Sequence, residues 1–558
     1  MKKTFLSILF LACIHFSAVA QEMVDFNVVP LPRECVAQKG KPMPLSDFQA
    51  ICYKGGEDMK RNAEFLADYI YQNTGKRLNV TTNTKGVVIS MAVSEKISAP
   101  EGYTIKVSNK GVDIQGGSNA GVFYAIQTLR KAIPIADADK VQMNPILVTD
   151  APRFSYRGMH LDVSRHFFDV NFVKEYIDML ALHHINIFHF HITDDQGWRL
   201  PVDKFPKLIE VGAYRNTTVI GRNTGLYNHQ RYGGYFTKQE LRDIVEYARQ
   251  RYITVIPEID MPGHMEAALA AYPELGCTGG PYEVEDDWGV FDDILCAGKE
   301  ETFHFVEGVL DELMEIFPSE YIHIGGDEAP RTRWKECPLC QARIKQQGLV
   351  GDGKHSAEDK LQGYFMKRVE SYLNQHGRKV IGWDELLDCD VNKSATIMSW
   401  RGQEGGIRAS QMGHDVIMVP TSTSYYDYYQ TPEDDYWSKP LLIGGFVPLD
   451  TVYNAEPTPS YLTPEAKKHI IGVQANLWTE YIADTELAEY QVLPRMGALS
   501  EVQWTMPENK DYKAYLQRQI KLTAIYRQQG WKYCDFSLKL KKVWKTTRPF
   551  GLTKINPL

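Results

Sequence analysis

From Asp150-Ala151-Pro152 onward the chain keeps one rhythm, and that rhythm limits its fold more than any other feature. Apolar, strand-like runs stand at Gly158 to Val163, Asn186 to Thr193, Thr254 to Asp260, Tyr321 to Gly325, Lys379 to Trp383, Thr396 to Trp400, Val416 to Pro420 and Ile470 to Trp478. Helix-period segments lie between them, among them Phe172 to His183, Lys238 to Arg251, Glu301 to Phe317, Ala357 to Gln375 and Glu404 to Met412. Near-continuous apolar strands suit a parallel sheet buried on both faces, and eight strand–helix units predict a closed (β/α)8 barrel, a TIM barrel, over residues 151–506.

The flanks read differently. Residues 21–150 predict a small α/β (α+β) domain: a helix from Met59 to Asn73 closed by Gly75, strands at Val87 to Val93 and Tyr103 to Val107, and Ser118 capping a helix from Ala120 to Ala132. Residues 507–558 predict a C-terminal helix and tail packed on the barrel. Residues 1–20 carry Lys2-Lys3, an apolar run from Phe5 to Phe16 and Ala18-Val19-Ala20, the layout of a signal peptide, so the mature chain is expected to start near Gln21 and to be periplasmic, cell-surface or extracellular. Leu11-Ala12-Cys13 offers a second, less favoured reading as a lipoprotein site, because the apolar run before it is short. No other run is long enough to span a bilayer. A formal net charge of -8 without a basic block argues against nucleic acid as a partner. Homo-oligomers are left open.

Export makes the cysteines readable. Cys277 and Cys296 flank one loop and are expected to pair as a disulfide. Cys337-Pro338-Leu339-Cys340 is half of a zinc or redox pattern, but no second CxxC or close Cys/His pair in the sequence completes it, so a local disulfide or free thiols are expected.

In a (β/α)8 barrel catalytic groups sit at the C-terminal ends of the strands, and here those ends are polar or aromatic. They carry Asp162 with Arg165, Asp194 with Asp195, Asp260 with His264, Asp327 with Glu328, Trp383 with Asp384 and Glu385, Trp400 with Arg401, Tyr425 with Asp427, and Trp478 with Glu480. Tandem Gly325-Gly326 allows a sharp turn just before the adjacent acids Asp327 and Glu328. Two carboxyls, one kept protonated and one ionised, can work on a glycosidic bond, while tryptophan faces suit pyranose rings. There is no Ser-His-Asp order and no phosphate cradle.

HIGGDE at 323–328, LDVSRHF at 161–167, HITDDQGWR at 191–199, PEIDMPGH at 257–264, GWDE at 382–385 and NLWTE at 476–480 together resemble the β-N-acetylhexosaminidases of glycoside hydrolase family 20. The resemblance extends to the small preceding domain. It implies an exo-acting retaining hydrolase of terminal β-linked N-acetylglucosamine or N-acetylgalactosamine, in which the substrate's 2-acetamido oxygen attacks the anomeric carbon. It implies Glu328 as general acid and then base, Asp327 as acceptor of the acetamido N–H, and Tyr425 as donor to the acetamido oxygen. Trp383, Trp400 and Trp478 would line the pocket. Arg165, Glu480 and Asp427 would hold the sugar hydroxyls, with Asp194 and His264 tuning the acid and Asp260 behind them. A glycan substrate is implied, with no cofactor and no metal. An ionised Asp327 is expected to raise its neighbour, so that Glu328 keeps a proton near neutrality.

Other features are read as structural. His183, His184, His189 and His191 look like a metal cluster but lack carboxylates at ligand spacing; Arg157 precedes the first strand; Glu283, Glu285, Asp286 and Asp287 read as a solvated loop. Two other functions are weighed: an endo-acting substrate-assisted barrel enzyme, which would need an Asp-x-Asp-x-Glu run that is absent, and a catalytically silent carbohydrate-binding protein.

Overall fold

A computed structural model describes residues 21–83, 85–389, 391–431 and 440–538. The leader, Cys13 and the tail beyond residue 538 lie outside the described residues. Strands β1 (Tyr156–Asp162), β2 (Ile187–His191), β3 (Thr254–Glu258), β4 (Tyr321–His323), β5 (Lys379–Trp383), β6 (Thr396–Ser399), β7 (Val416–Met418) and β8 (Ile470–Ala475) close into a barrel in that order. Every neighbouring pair is parallel. All eight expected strands form. Most end a little before the apolar run does, because the run continues into buried loop residues at the rim.

Strand alternation sorts the side chains of β2. Phe188 and Phe190 face the outer helices, against Tyr176 and Phe236, while His189 and His191 point into the barrel. The outer helices start where capping groups permit. Asp169 accepts from the amides of Asn171 and Phe172 ahead of helix Val170–Leu182. Thr237 with Glu240, and Ser356 with Asp359, form capping boxes for helices Lys238–Arg249 and Ala357–Gln375. Tyr156, Ile256, Ile381, Met398 and Ile417 fill the lower barrel, and Trp383 and Tyr425 continue the same apolar cluster upward.

The small domain is a seven-stranded sheet with helices Glu57–Thr74 and Asn119–Ala132 packed on it. Arg157 lies inside β1 and not before it. Fully buried, it reaches Glu101 of the small domain through two bonds of 2.7 and 2.9 Å, so its role is to join the two bodies. Helix Tyr512–Gln529 packs back against the barrel: Tyr526 Oη lies 2.6 Å from His183 Nε2, and Arg518 pairs with buried Glu501 at 3.0 Å. His184 packs edge-on against Trp504. Among the described residues no helix is long and apolar enough to cross a membrane.

Two expectations about loops are corrected. Cys277 and Cys296 carry free thiols and no bond joins them. Their sulfurs instead lie against the Cys337–Cys340 pair, which the loops after β3 and β4 bring together across a large sequence gap. The acidic segment is not a solvated loop. Glu285, Asp286 and Asp287 are half-buried, and the segment is pinned by Gln196 Nε2 donating to the Asp287 carbonyl and by Tyr227 donating to its carboxylate.

Candidate active site

The end of β4 is shaped by backbone that side chains rarely tolerate. Gly325 and Gly326 have φ of 62° and 103°, and a Cβ on Gly325 would fall 1.6 Å from Asp260 Oδ1. Only glycine lets the turn sit on that carboxylate, which accepts the Gly326 amide at 3.1 Å. Glu328 itself has φ of 44° and His264 φ of 55°, the kind of strained backbone that recurs at functional sites. The turn leaves Asp327 buried with its Oδ1 free of any hydrogen-bond partner, while the Glu328 side chain is 40% exposed. One acid is enclosed and the other can meet an arriving group.

His264 connects these acids to the rest of the rim. Its Nε2 lies 3.6 Å from Glu328 Oε2 and 4.0 Å from Asp327 Oδ2, and its Nδ1 lies 3.1 Å from both Asp194 and Asp195. Asp194 is also held by Arg165 at 2.9 Å and by His191 at 2.7 Å. Arg165 is nearly buried, pairs with Asp162 at 3.3 Å and donates to Gln196 at 3.0 Å.

The facing wall is aromatic. Trp400 stacks near Tyr425, with 6.4 Å between centroids and 25° between planes. Trp478 lies 6.0 Å from Trp383 and 6.4 Å from Tyr425, with the Arg165 guanidinium over its ring at 5.2 Å. Backbone bonds between Asn476 and residues 424 and 426 carry the β7–β8 pairing past the strand ends and fix Tyr425. Asp427 is buried, with its own Oδ1 unpartnered. Asp327, Glu328, Tyr425, Arg165, Asp194, His264, Trp383, Trp400, Asp427, Trp478, Glu480 and Asp260 therefore all surround one rim.

The protonation order differs from the expectation. Burial, the neighbouring Asp260 and other carboxylates push Asp327 well above the usual carboxylate range. Burial acts the same way on Glu328, but the hydrogen bond and charge of His264 outweigh it and hold Glu328 below the usual range. His264 is charged because Asp194, Asp195 and Glu328 outweigh the cost of burying it. Burial raises Asp260 to about 6. Burial and Asp427 push the Tyr425 phenol well above its ordinary value, so that it stays a donor, and burial with Glu480 nearby pushes Asp427 well above the usual carboxylate range.

Below these residues is a group that sequence reading missed. Glu258 is fully buried in β3, with His191 at 2.6 Å, His189 at 3.0 Å, His323 at 2.8 Å and the Trp383 indole N–H at 3.0 Å. The expectation that no carboxylate meets these histidines is thus corrected. The register makes the contact: His191, Glu258 and His323 are direct partners across β2, β3 and β4. An acid within the apolar run at Thr254 to Asp260, flanked by inward histidines on the adjoining strands, was the available signal.

Burial of acids has a consequence for stability. It raises Glu285 and Glu385 to about 8 and Glu266 to about 9. Each binds more protons folded than unfolded, so its contribution is intact below the ordinary glutamate value and is lost as pH rises through the folded value. His191, carried to about 10 against the cost of burial by Glu258 and Asp194, acts in the same direction. The melting temperature should therefore fall steadily from about pH 7 to about pH 9, and Glu285→Gln should flatten that slope. A flat or rising profile in wild type would contradict this assignment.

The chain can now be set beside known proteins. Residues 154–507 match the glycosyl hydrolase family 20 catalytic domain, and residues 25–151 match domain 2 of that family. A beta-hexosaminidase of Porphyromonas gingivalis is 41% identical over 88% of this chain and 62% of its own length; one from Vibrio furnissii is 35% identical over 71% and 64%. The chain thus spans less than two thirds of these two relatives. The solved Streptomyces plicatus N-acetyl-beta-hexosaminidase, in complex with Thio-NAglucal, superposes with a TM-score of 0.78 at 31% identity, covering 91% of this chain and 96% of that one. With a matching catalytic domain over the whole barrel and a matching second domain before it, the chain belongs to glycosyl hydrolase family 20.

Proposed function

We propose that this chain is an exo-acting, retaining β-N-acetylhexosaminidase that removes terminal, non-reducing β-linked N-acetylglucosamine or N-acetylgalactosamine, with the substrate's 2-acetamido group as nucleophile. One observation carries the reading: Asp327 presents a buried, unpartnered Oδ1 beside accessible Glu328, in a pocket walled by Tyr425, Trp383, Trp400 and Trp478. A buried acceptor left unpaired is costly, and an acetamido N–H is a donor of the right kind to relieve it. The names of the relatives and the sugar analogue in the S. plicatus structure support the same substrate class. An enclosed Asp327 beside an exposed acid also favours catalysis over a silent binding role.

In the proposed reaction Tyr425 donates to the acetamido oxygen and aims it at the anomeric carbon, and Asp327 holds the N–H. The oxygen–carbon bond forms as the glycosidic bond breaks, and Glu328 gives its proton to the leaving oxygen. An oxazolinium ion remains, with its positive charge facing Asp327. Glu328, now ionised, takes a proton from water as that water opens the ring, which restores both the β configuration and the acid. Arg165, Glu480 and Asp427 hold the ring hydroxyls.

In the free site burial and Asp260 favour the neutral form of Asp327 and His264 favours the charged form of Glu328, the reverse of what the first step needs. Binding corrects this. An N–H donated to Asp327 favours its charged form, and a leaving group that excludes water over Glu328 favours its neutral form. His264 lies beside both carboxylates and balances the exchange. The test is turnover of an aryl N-acetyl-β-glucosaminide against the matching aryl β-glucoside. The first should be hydrolysed and the second, which lacks the acetamido group, scarcely at all. Equal rates would overturn the proposal.

Export is proposed as well. The leader-like residues 1–20, with Lys2-Lys3, the apolar run and Ala18-Val19-Ala20, support it. Mass spectrometry of the cell-produced chain should find its N-terminus near Gln21, and an intact Met1 would contradict it.

A further inference from the structure

Four cysteines that no part of the reaction uses meet at one point. Cys277 and Cys296 lie in the loop after β3, and Cys337 and Cys340 follow β4 at the start of helix Pro338–Gln347. Their sulfurs all lie within 4.8 Å of one another. Three separations are 3.8 Å (Cys277–Cys340), 3.7 Å (Cys296–Cys337) and 3.6 Å (Cys296–Cys340). None of the four is joined to another by a disulfide, and Cys296 and Cys340 each approach two of the other sulfurs. A regular tetrahedron of thiolates about 2.3 Å from a central zinc has edges of about 3.8 Å. The four-iron clusters that four cysteines can also hold need sulfurs farther apart than this. Cys296, Cys337 and Cys340 are buried and Cys277 is half-buried, so the group is closed, as structural zinc sites are.

The surroundings are built to hold this approach. Gly298 packs where a Cβ would lie 2.3 Å from the Leu339 backbone and 2.5 Å from the Cys340 nitrogen, so the loop can reach the helix start only with glycine there. The Trp334 indole donates to the Leu295 carbonyl at 3.0 Å, and Arg333 grips Asp293 with two bonds of 2.8 Å.

We propose that Cys277, Cys296, Cys337 and Cys340 bind one structural zinc ion, which cross-links the loop carrying His264 to the segment that follows Asp327 and Glu328. The sequence alone points away from this, because the partner of the CxxC is two separate cysteines and not a second CxxC. The site stands apart from the pocket, so its test does not depend on the proposed reaction.

The test uses the untagged mature chain, exported by the host and purified without chelator or reductant. Elemental mass spectrometry should find about one zinc per chain. Peptide mapping after alkylation in the native state should find these four thiols unmodified and unpaired, becoming reactive together once a mercurial has displaced the zinc. Replacing zinc with cobalt should give the intense visible absorption and thiolate charge-transfer band of a tetrahedral thiolate site. Cys337→Ser with Cys340→Ser should abolish both the zinc and the cobalt bands; if that variant does not fold, the wild-type stoichiometry and cobalt spectrum decide. A Cys277–Cys296 or Cys337–Cys340 disulfide, iron in place of zinc, or a metal-free chain with freely alkylated thiols would each overturn the assignment.

Discussion

Glu328→Gln lowers kcat on glycosides with poor leaving groups by about 10²–10⁴-fold, the usual contribution of a positioned proton donor. The change is nearly isosteric. It leaves the backbone turn at Gly325-Gly326 in place, and the amide oxygen can still accept from His264, 3.6 Å from the present carboxylate. Binding of the product sugar and the melting temperature should therefore change little, and the loss should lie in kcat. An aryl substrate whose leaving group departs without a proton should lose much less. Equal losses on both substrates would remove Glu328 as the acid and reopen the choice among the acids of this rim.

Asp327→Ala produces the second large loss, and a different kind. Asp327 is enclosed and its role lies with the acetamido group, not the leaving oxygen, so its removal should slow activated and natural substrates alike, by about 10²–10³-fold. Asp327 also lies against Asp260, whose carboxyl burial raises to about 6 and whose charge in turn raises Asp327. Unchanged turnover of an N-acetylglucosaminide would contradict the role of Asp327 in holding the acetamido group.

What the sequence yields here depends on how far apart the interacting groups lie in the chain. The barrel is legible because each strand is announced by its own apolar run, as at Lys379–Trp383, and each helix by its own capping residues, as at Thr237 and Ser356. Asp327 and Glu328 are legible because two glycines and two acids are contiguous. The Glu258 hub is not, since it depends on strand register that sets His191 and His323 on either side of one carboxylate. Nor is the order of protonation, which is set by a histidine from the neighbouring strand's loop and by that histidine's own partners, Asp194 and Asp195. The four-cysteine cluster fails for the same reason: two loops that share no local pattern meet only after β3 and β4 pair.

The central claim is that the nucleophile belongs to the substrate. Calorimetric titration with the N-acetylglucosamine-derived thiazoline, a stable mimic of the oxazolinium ion, tests it most directly. The account predicts binding at least about a hundredfold tighter than that of N-acetylglucosamine, as transition-state-like species bind, with most of that advantage lost in Asp327→Ala. Thiazoline binding no tighter than the product sugar, in a wild-type protein that turns over N-acetylglucosaminides, would contradict it.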